Sequence, residues 1–404
     1  MLTHVGLPVE YEAELSASDP RPTNLICFSH LRWNFVFQRP QHLMSRFARD
    51  MRVIYWEEPV DIGPRETAYL KVRDADGFPQ VTLVVPHLPE GMPEDAREAA
   101  LSRLLDVHVA ALRGPIVTWY YTPMMLPFSR HLEADVTVYD AMDELSKFRF
   151  APAKLLDLEQ ELIDKADLVF TGGTSLYEAK KGRHPDVHCF PSSVDRAHFA
   201  KARSRLFDPA DQEDLPKPRL GFYGVIDERF DTELLDKIAA MRPDWSFVMV
   251  GPVVKISEDE LPKRPNIHYL GSKTYAELPA YLSGWDVALM PFAMNESTQF
   301  ISPTKTPEYL AGGKPVVTTP VKDVVRHYGH LEGVKVAADA DSFVVACEEA
   351  LALAGDPESD WLAEADLMLS ATSWDTTQAR MAGLVDERLG VRGGTQSALL
   401  VAAE

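Results

Sequence analysis

The chain has 404 residues, 46% hydrophobic and 25% charged, an ordinary globular composition long enough for two domains. A formal net charge of −20 and a pI near 5.0 oppose long-range attraction to nucleic acid or an anionic surface, so any anionic ligand needs a local basic site. Cys27, Cys189 and Cys347 are scattered and odd in number, which fits reduced thiols in a cytoplasmic protein and gives no metal-site spacing.

Residues 1–22 carry Glu10, Glu12, Glu14 and Asp19 without a basic start or an apolar core, and read as a loose acidic leader rather than a signal peptide. From Asn24 onward, short apolar runs alternate with helical stretches, the pattern of parallel α/β layers. Strands are expected at 24–28, 51–55, 82–85, 115–119, 136–139, 168–171 and 187–190, with helices at 41–49 and 155–165 between them. This doubly wound unit spans 23–203. The polar, proline-bearing stretch 204–218 lacks sustained periodicity and reads as a linker.

A second alternating series follows over 219–372, with strands at 219–223, 246–250, 267–269, 287–290, 315–318 and 334–336 and helices at 231–241 and 275–282. The tail 341–389 is helical by pattern, broken near Gly355 and again near Trp374. No apolar run approaches the roughly 20 residues that span a bilayer, and no repeat or low-complexity tract appears.

Two such units imply a cleft between the carboxyl ends of their strands, where open α/β sheets bind ligands. No Gly-x-Gly-x-x-Gly follows a candidate strand and no Gly-Lys-Ser/Thr loop occurs, which disfavours a nicotinamide dehydrogenase or a P-loop nucleotidase.

The most informative stretch is Ser302-Pro303-Thr304-Lys305-Thr306-Pro307-Glu308, running from a loop into a helix that Gly312-Gly313 stops before the strand at Val316. Ser302 can cap with Pro303 at the first helical position, or Thr306 with Pro307 there. Either start places free N–H groups and the positive end of the helix beside Lys305, an anion site in which the lysine supplies the larger share. Glu308, one turn on, suits a ribose diol. Lys305 and Glu308 can equally be a pair on a solvated helix face, the common fate of such spacing.

The run Pro-x-Lys-x-x-Glu-Tyr-Leu-Ala-x-Gly-Lys-Pro-Val-Val from Pro303 to Val317 resembles the donor segment of retaining glycosyltransferases of the two-Rossmann GT-B architecture, the family 4 group. Further matches follow in that family's order. The stretch 221–231, with Gly224 and Arg229, looks like the first strand and loop of the C-terminal domain; 247–251, ending at Gly251, resembles the second strand and its turn. Leu270 falls in the base-reading stretch 266–271, and 285–291 resembles the strand before the donor loop. Ser373-Trp374 resembles the start of the helix that crosses back to complete the N-terminal domain with 373–404. Segments 31–43 and 139–145 resemble a narrower set, bacterial surface-polysaccharide sugar transferases of the teichuronic acid type.

The resemblance implies a donor site formed by Gly224, Arg229, Gly251, Leu270, Ser302, Pro303, Thr304, Lys305 and Glu308. It departs in two places. The family's donor motif has two glutamates with seven residues between them, and Phe300 stands where the first should be, which leaves Glu296 as a substitute from a longer loop; the lysine that usually accompanies Arg229 is not evident.

In the N-terminal half, His30 follows the first strand and can donate to sugar or phosphate, although a lone histidine is usually structural. Arg32, Trp33 and Arg39 mix cations with an aromatic ring and suit an acceptor sugar or lipid-linked glycan, whereas Phe35 and Phe37 read at least as well as core. Asp140, after a strand, is a candidate general base and Asp143 a weaker one, since such residues often only cap helices. His184, His188 and His198 lack the spacing of a zinc site.

The expected reaction moves a sugar from a nucleoside diphosphate donor, UDP-type first, to a hydroxyl of a glycan or glycolipid. The resemblance implies retention and marks Arg229 and Lys305 for the diphosphate; His30 and Asp140, from their positions after strands, complete the expected catalytic set, with no metal and no cofactor expected. The expected setting is cytoplasmic, with peripheral contact at the inner membrane face as an option. The rival readings are a nucleotide-sugar epimerase of the same architecture and a non-catalytic nucleotide-sugar-binding protein.

Overall fold

A computed structural model describes residues 9–11, 23–204 and 207–401. Most of the acidic leader, and Arg205 and Leu206 of the proline-bearing stretch, lie outside these residues. Val9–Tyr11, within the segment expected to be loose, forms a strand, β1.

The first sheet continues with β2 (Asn24–Phe28), β3 (Arg52–Trp56), β4 (Val60–Ile62), β5 (Tyr69–Ala75), β6 (Phe78–Pro89), β7 (Ile116–Tyr120), β8 (Val136–Ala141), β9 (Leu168–Thr171) and β10 (Val187–Cys189). Its order is β1-β5-β6-β3-β2-β7-β8-β9-β10, with β4 beside β6. The run from β6 to β10 is parallel, and the order reverses between β2 and β7. Antiparallel β5 extends the edge through a hairpin at Asp76-Gly77.

Both faces of this sheet are covered, so β2 runs apolar from Leu25 to Phe28 rather than alternating with polar residues. Leu25 and Cys27 point to one face, which Leu43 and Phe47 cover together with Trp374, Met381 and Val385 of the long final helix Trp374–Val401. Ile26 and Phe28 point to the other, covered by Leu101, Leu104 and Leu162. Each such fully buried side chain contributes about 1.5–3 kcal/mol.

The second sheet comprises β11 (Arg219–Tyr223), β12 (Ser246–Val250), β13 (Ile267–Tyr269), β14 (Val287–Met290), β15 (Val316–Thr318) and β16 (Val334–Val336). All are parallel in the order β13-β12-β11-β14-β15-β16, the 3-2-1-4-5-6 arrangement of a Rossmann sheet, with its switch point between β11 and β14. The stretch before β11, read as a linker, is anchored: Gln212 is fully buried, donates to the Tyr281 carbonyl at 3.1 Å and accepts from the Trp285 indole at 2.8 Å.

No helix among the described residues is long and apolar enough to cross a membrane.

Candidate active site

The carboxyl ends of both sheets open on one cleft. Phe35, Phe37, Gln38, Arg39, Met142, Asp143 and Ser192 line it from the first sheet's side. Tyr223, Gly224, Arg229, Gly251, Ser272, Lys273, Tyr275 and the segment from Ile301 to Lys305, with Glu308, line it from the second.

The helix behind this segment is Lys305–Ala311, so neither expected cap is used: Thr304 precedes it in helical conformation and caps nothing with its side chain. Pro307 is accommodated at the third helical position because first-turn N–H groups have no intrahelical partner to lose. Thr306 is buried, its hydroxyl 3.0 Å from the Met290 sulfur. Gly312 and Lys314 close the helix through bonds of 2.9 and 3.0 Å to the carbonyls of Glu308 and Tyr309.

Lys305 is half-buried, its ammonium 5.5 and 5.9 Å from the ring centres of Phe222 and Phe292. Burial lowers its pKa to about 8; Glu308 opposes that fall and Arg229 adds to it. Glu308 is 5% exposed and accepts a 2.9 Å hydrogen bond from the Tyr223 hydroxyl. Its burial raises its pKa, against the pull of Lys305 and Tyr223. A carboxylate oriented by a tyrosine at the cleft wall can accept from a diol, the role expected of it.

The two turn glycines are set by contact. Gly224 has φ +140°, and a side chain there would put Cβ 2.3 Å from Lys305 Cε; at Gly251, φ +139°, it would be 1.9 Å from the Gly224 carbonyl oxygen. Gly224→Ala is therefore expected to displace Lys305 and weaken nucleotide binding at least tenfold by calorimetry, while the loss of β11 itself would show as a collapsed thermal transition.

Arg229 lines the cleft with its guanidinium held by Asp227 at 2.7–3.1 Å and its Cζ 5.2 Å from the centre of the Phe148 ring. Lys255, from the loop after β12, packs on the same ring with its nitrogen 4.7 Å from the centre, but it pairs with Glu228 at 3.8 Å and does not line the cleft.

Asp140 and Arg39 are corrected by the structure. β8 runs to Ala141, two residues beyond the expected end, so Asp140 lies inside a doubly covered sheet at 0% exposure. Arg39 binds it through Nε at 3.1–3.2 Å and Nη2 at 2.8 Å, and donates to the Phe190 carbonyl at 2.7 Å. Burial opposes the arginine's charge, but the carboxylate outweighs it and holds the pKa above the ordinary value. The pair fastens the start of the helix Arg39–Phe47 to β8 and leaves no carboxylate free to take a proton and no guanidinium free for an acceptor. Asp143, past the end of the strand, is the carboxylate that lines the cleft from the first sheet's side. Burial raises its pKa, with Arg229 pulling the other way.

The other N-terminal candidates are likewise redistributed. Arg32 bonds to Glu57 at 3.0 Å and the Glu58 carbonyl at 2.6 Å, and Trp33 is core, edge-on to Tyr55 at 5.0 Å and Phe78 at 5.7 Å. Phe35 and Phe37, for which the sequence leaves core packing and sugar contact both open, face the cleft. His30 sits half-buried behind the lining; burial, then the charge of Lys255, lowers its pKa to about 4, and its Nδ1 has no hydrogen-bond partner. It is neutral at pH 7 and does not reach the cleft.

On the opposite wall, Leu270 packs against the second core, its amide bonded to the Met249 carbonyl. Ser272, Lys273 and Tyr275 face the cleft in its place. Tyr275 escaped notice because its helix was expected to include it, whereas the helix starts at Leu278 with Pro279 in its first turn. Glu296 does not line the cleft: its side chain is 77% exposed and pairs with Lys147 at 3.1 Å. Glu296→Ala should leave donor KM unchanged within about fivefold, since exposed pairs contribute about 0–1 kcal/mol; a rise of about tenfold or more would return it to the site.

Among the described residues, no three His, Cys, Asp or Glu side chains gather as a metal cluster.

Residues 217–353, which hold Gly224, Arg229, Lys305 and Glu308, match the family model of glycosyl transferases group 1. This region is a glycosyl transferases group 1 domain. A teichuronic acid biosynthesis glycosyltransferase, TuaH of Bacillus subtilis (strain 168), is 29% identical over 262 residues, covering 59% of this chain and 64% of that protein's length. Sucrose-phosphate synthase from Thermosynechococcus elongatus superposes with a TM-score of 0.66 at 17% identity, over 91% of this chain and 100% of that one. Anabaena HepE, in complex with UDP and glucose, superposes at 0.61 and 12% identity, over 90% and 99%. The two-domain GT-B fold is thus shared across nearly the whole chain, and the group 1 domain contributes the wall that carries Lys305.

Proposed function

We propose that the chain is a glycosyltransferase that moves a sugar from a nucleoside diphosphate donor, UDP-type, to a hydroxyl of a glycan or glycolipid, with retention and without a required metal. The observation that carries this reading is the convergence of Lys305, Arg229 and Glu308 on one wall where the ends of two parallel sheets face each other. The group 1 domain and the UDP complex of HepE support the choice of donor.

In this reading Lys305 and Arg229 receive the diphosphate, Glu308, oriented by Tyr223, takes the ribose diol, and Ser272 and Tyr275 face the base. As the sugar–phosphate bond breaks, negative charge grows on the departing diphosphate, and fixed cations in a half-dry cleft stabilise that change more than they stabilise the bound donor. A donor phosphate oxygen takes the acceptor's proton on the same face, so no enzyme base is required. Asp143, on the opposite wall, is placed to orient an acceptor hydroxyl. Closure of the cleft excludes water and limits hydrolysis. A glycolipid acceptor would bring the protein to the inner membrane face as a peripheral one.

Incubation with UDP-sugars, a glycan acceptor panel and a chelator tests the proposal: acceptor-dependent UDP release and a product with the donor's anomeric configuration by NMR are expected. An inverted product would contradict retention, and conversion of the free donor without any acceptor would sink the transferase reading.

A further inference from the structure

The loop between β14 and the helix Lys305–Ala311 belongs to both halves of the molecule. Phe300 packs against the first sheet's core, while its neighbour Ile301 is buried in the second. One residue further, the Ser302 carbonyl accepts a 2.6 Å hydrogen bond from the hydroxyl of Ser192, which follows β10 in the first sheet. Gly173 presses on the same residue: a methyl group there would lie 2.7 Å from Ser302 Cβ and 2.5 Å from an Asp323 carboxylate oxygen. Asp323, in the second half and 2% exposed, in turn accepts from the backbone N–H of Ser175 at 3.0 and 3.2 Å and from its hydroxyl, so that it serves the start of the helix Thr174–Lys180 in the first half.

We infer that Ser192, Gly173 and Phe300 are positioning residues for the donor grip, through which the first half of the molecule sets the backbone that presents Lys305. The inference rests on the donor-binding role of Lys305 proposed above. Pro303 fixes its own φ and restricts Ser302 to extended conformations, so a Ser302 held on two sides passes its orientation to Thr304 and Lys305 with little slack. Phe300 occupies the position of the resemblance's first glutamate, and in this chain that position fastens the donor loop to the other domain instead of reaching for the sugar.

Calorimetric titration of the full chain with UDP, alongside donor kinetics and thermal unfolding, tests this. Ser192→Ala should weaken UDP binding and raise donor KM about three- to tenfold, the range of one neutral hydrogen bond, with kcat changed less. The unfolding midpoint should hold, and Ser192→Thr should restore affinity. Phe300→Glu should lower activity, because it puts a charge against an apolar core. Unaltered UDP affinity in Ser192→Ala, or improved turnover in Phe300→Glu, would overturn the inference while the donor site stood. Absence of UDP binding by the unaltered chain would remove the donor reading and the inference together.

Discussion

Replacing Lys305 by alanine is expected to weaken nucleoside diphosphate binding by roughly 10- to 150-fold, the equivalent of a charge-assisted hydrogen bond worth about 1.5–3 kcal/mol. The side chain is half-buried between Phe222 and Phe292, so its removal leaves a gap that water fills poorly, and Arg229, already bound to Asp227, cannot move in to replace it. The fold should survive, since a buried ammonium is itself a cost that alanine relieves. Calorimetry at several pH values adds a second signature. The lysine's pKa in the free protein is lowered to about 8, mainly by burial. A bound diphosphate raises it again, so the complex holds the proton more tightly than the free protein does. Affinity is then complete below about pH 8 and falls as pH rises through that value. Lys305→Arg, which does not titrate in this range, should lose this dependence while keeping part of the affinity. A pH-independent affinity in the unaltered protein would remove Lys305 from the phosphates.

Asp140→Ala is expected to destabilise the protein by about 3–5 kcal/mol, because it leaves the buried guanidinium of Arg39 without its counter-charge. Loss of folded protein, or a lowered unfolding midpoint, should accompany any loss of activity. Replacing both partners by apolar residues of similar volume should recover much of the stability, as replacement of buried ion pairs often does. A variant that folds with an unchanged midpoint yet transfers no sugar would make Asp140 a catalytic group after all.

These two residues show what was legible in the chain and what was not. The parallel strands were readable because strands covered on both faces need unbroken apolar runs, and β2, β12 and β14 have them. The donor segment was readable because proline, lysine, glutamate and glycine each mark a backbone or charge requirement at a fixed spacing. Strand ends were less so: two extra residues in β8 turned Asp140 from a loop carboxylate into a core ion pair, and three fewer in the helix at Leu278 released Tyr275 to the cleft. In the aromatic stretch from Trp33 to Phe37, Trp33 turned inward and the phenylalanines outward, since composition identifies such a stretch as apolar but not which rings turn inward. The strand at Val9–Tyr11 and the hairpin of β5 and β6 lie on an edge of the sheet, where weak patterning is tolerated; the Asp76-Gly77 turn was the available signal. The packing of Arg229 and Lys255 on Phe148 and the anchoring of Phe300 depend on contacts between distant segments, which spacing along the chain does not encode.

The most direct test of the central claim is thermal unfolding of the unaltered chain against a panel of nucleoside diphosphates. Selective binding to the folded state must raise the unfolding midpoint, by the equivalent of about 2.7 kcal/mol at a hundredfold excess over Kd. The structure predicts a clear upward shift with UDP that Lys305→Ala loses. A flat response across the whole panel would contradict it.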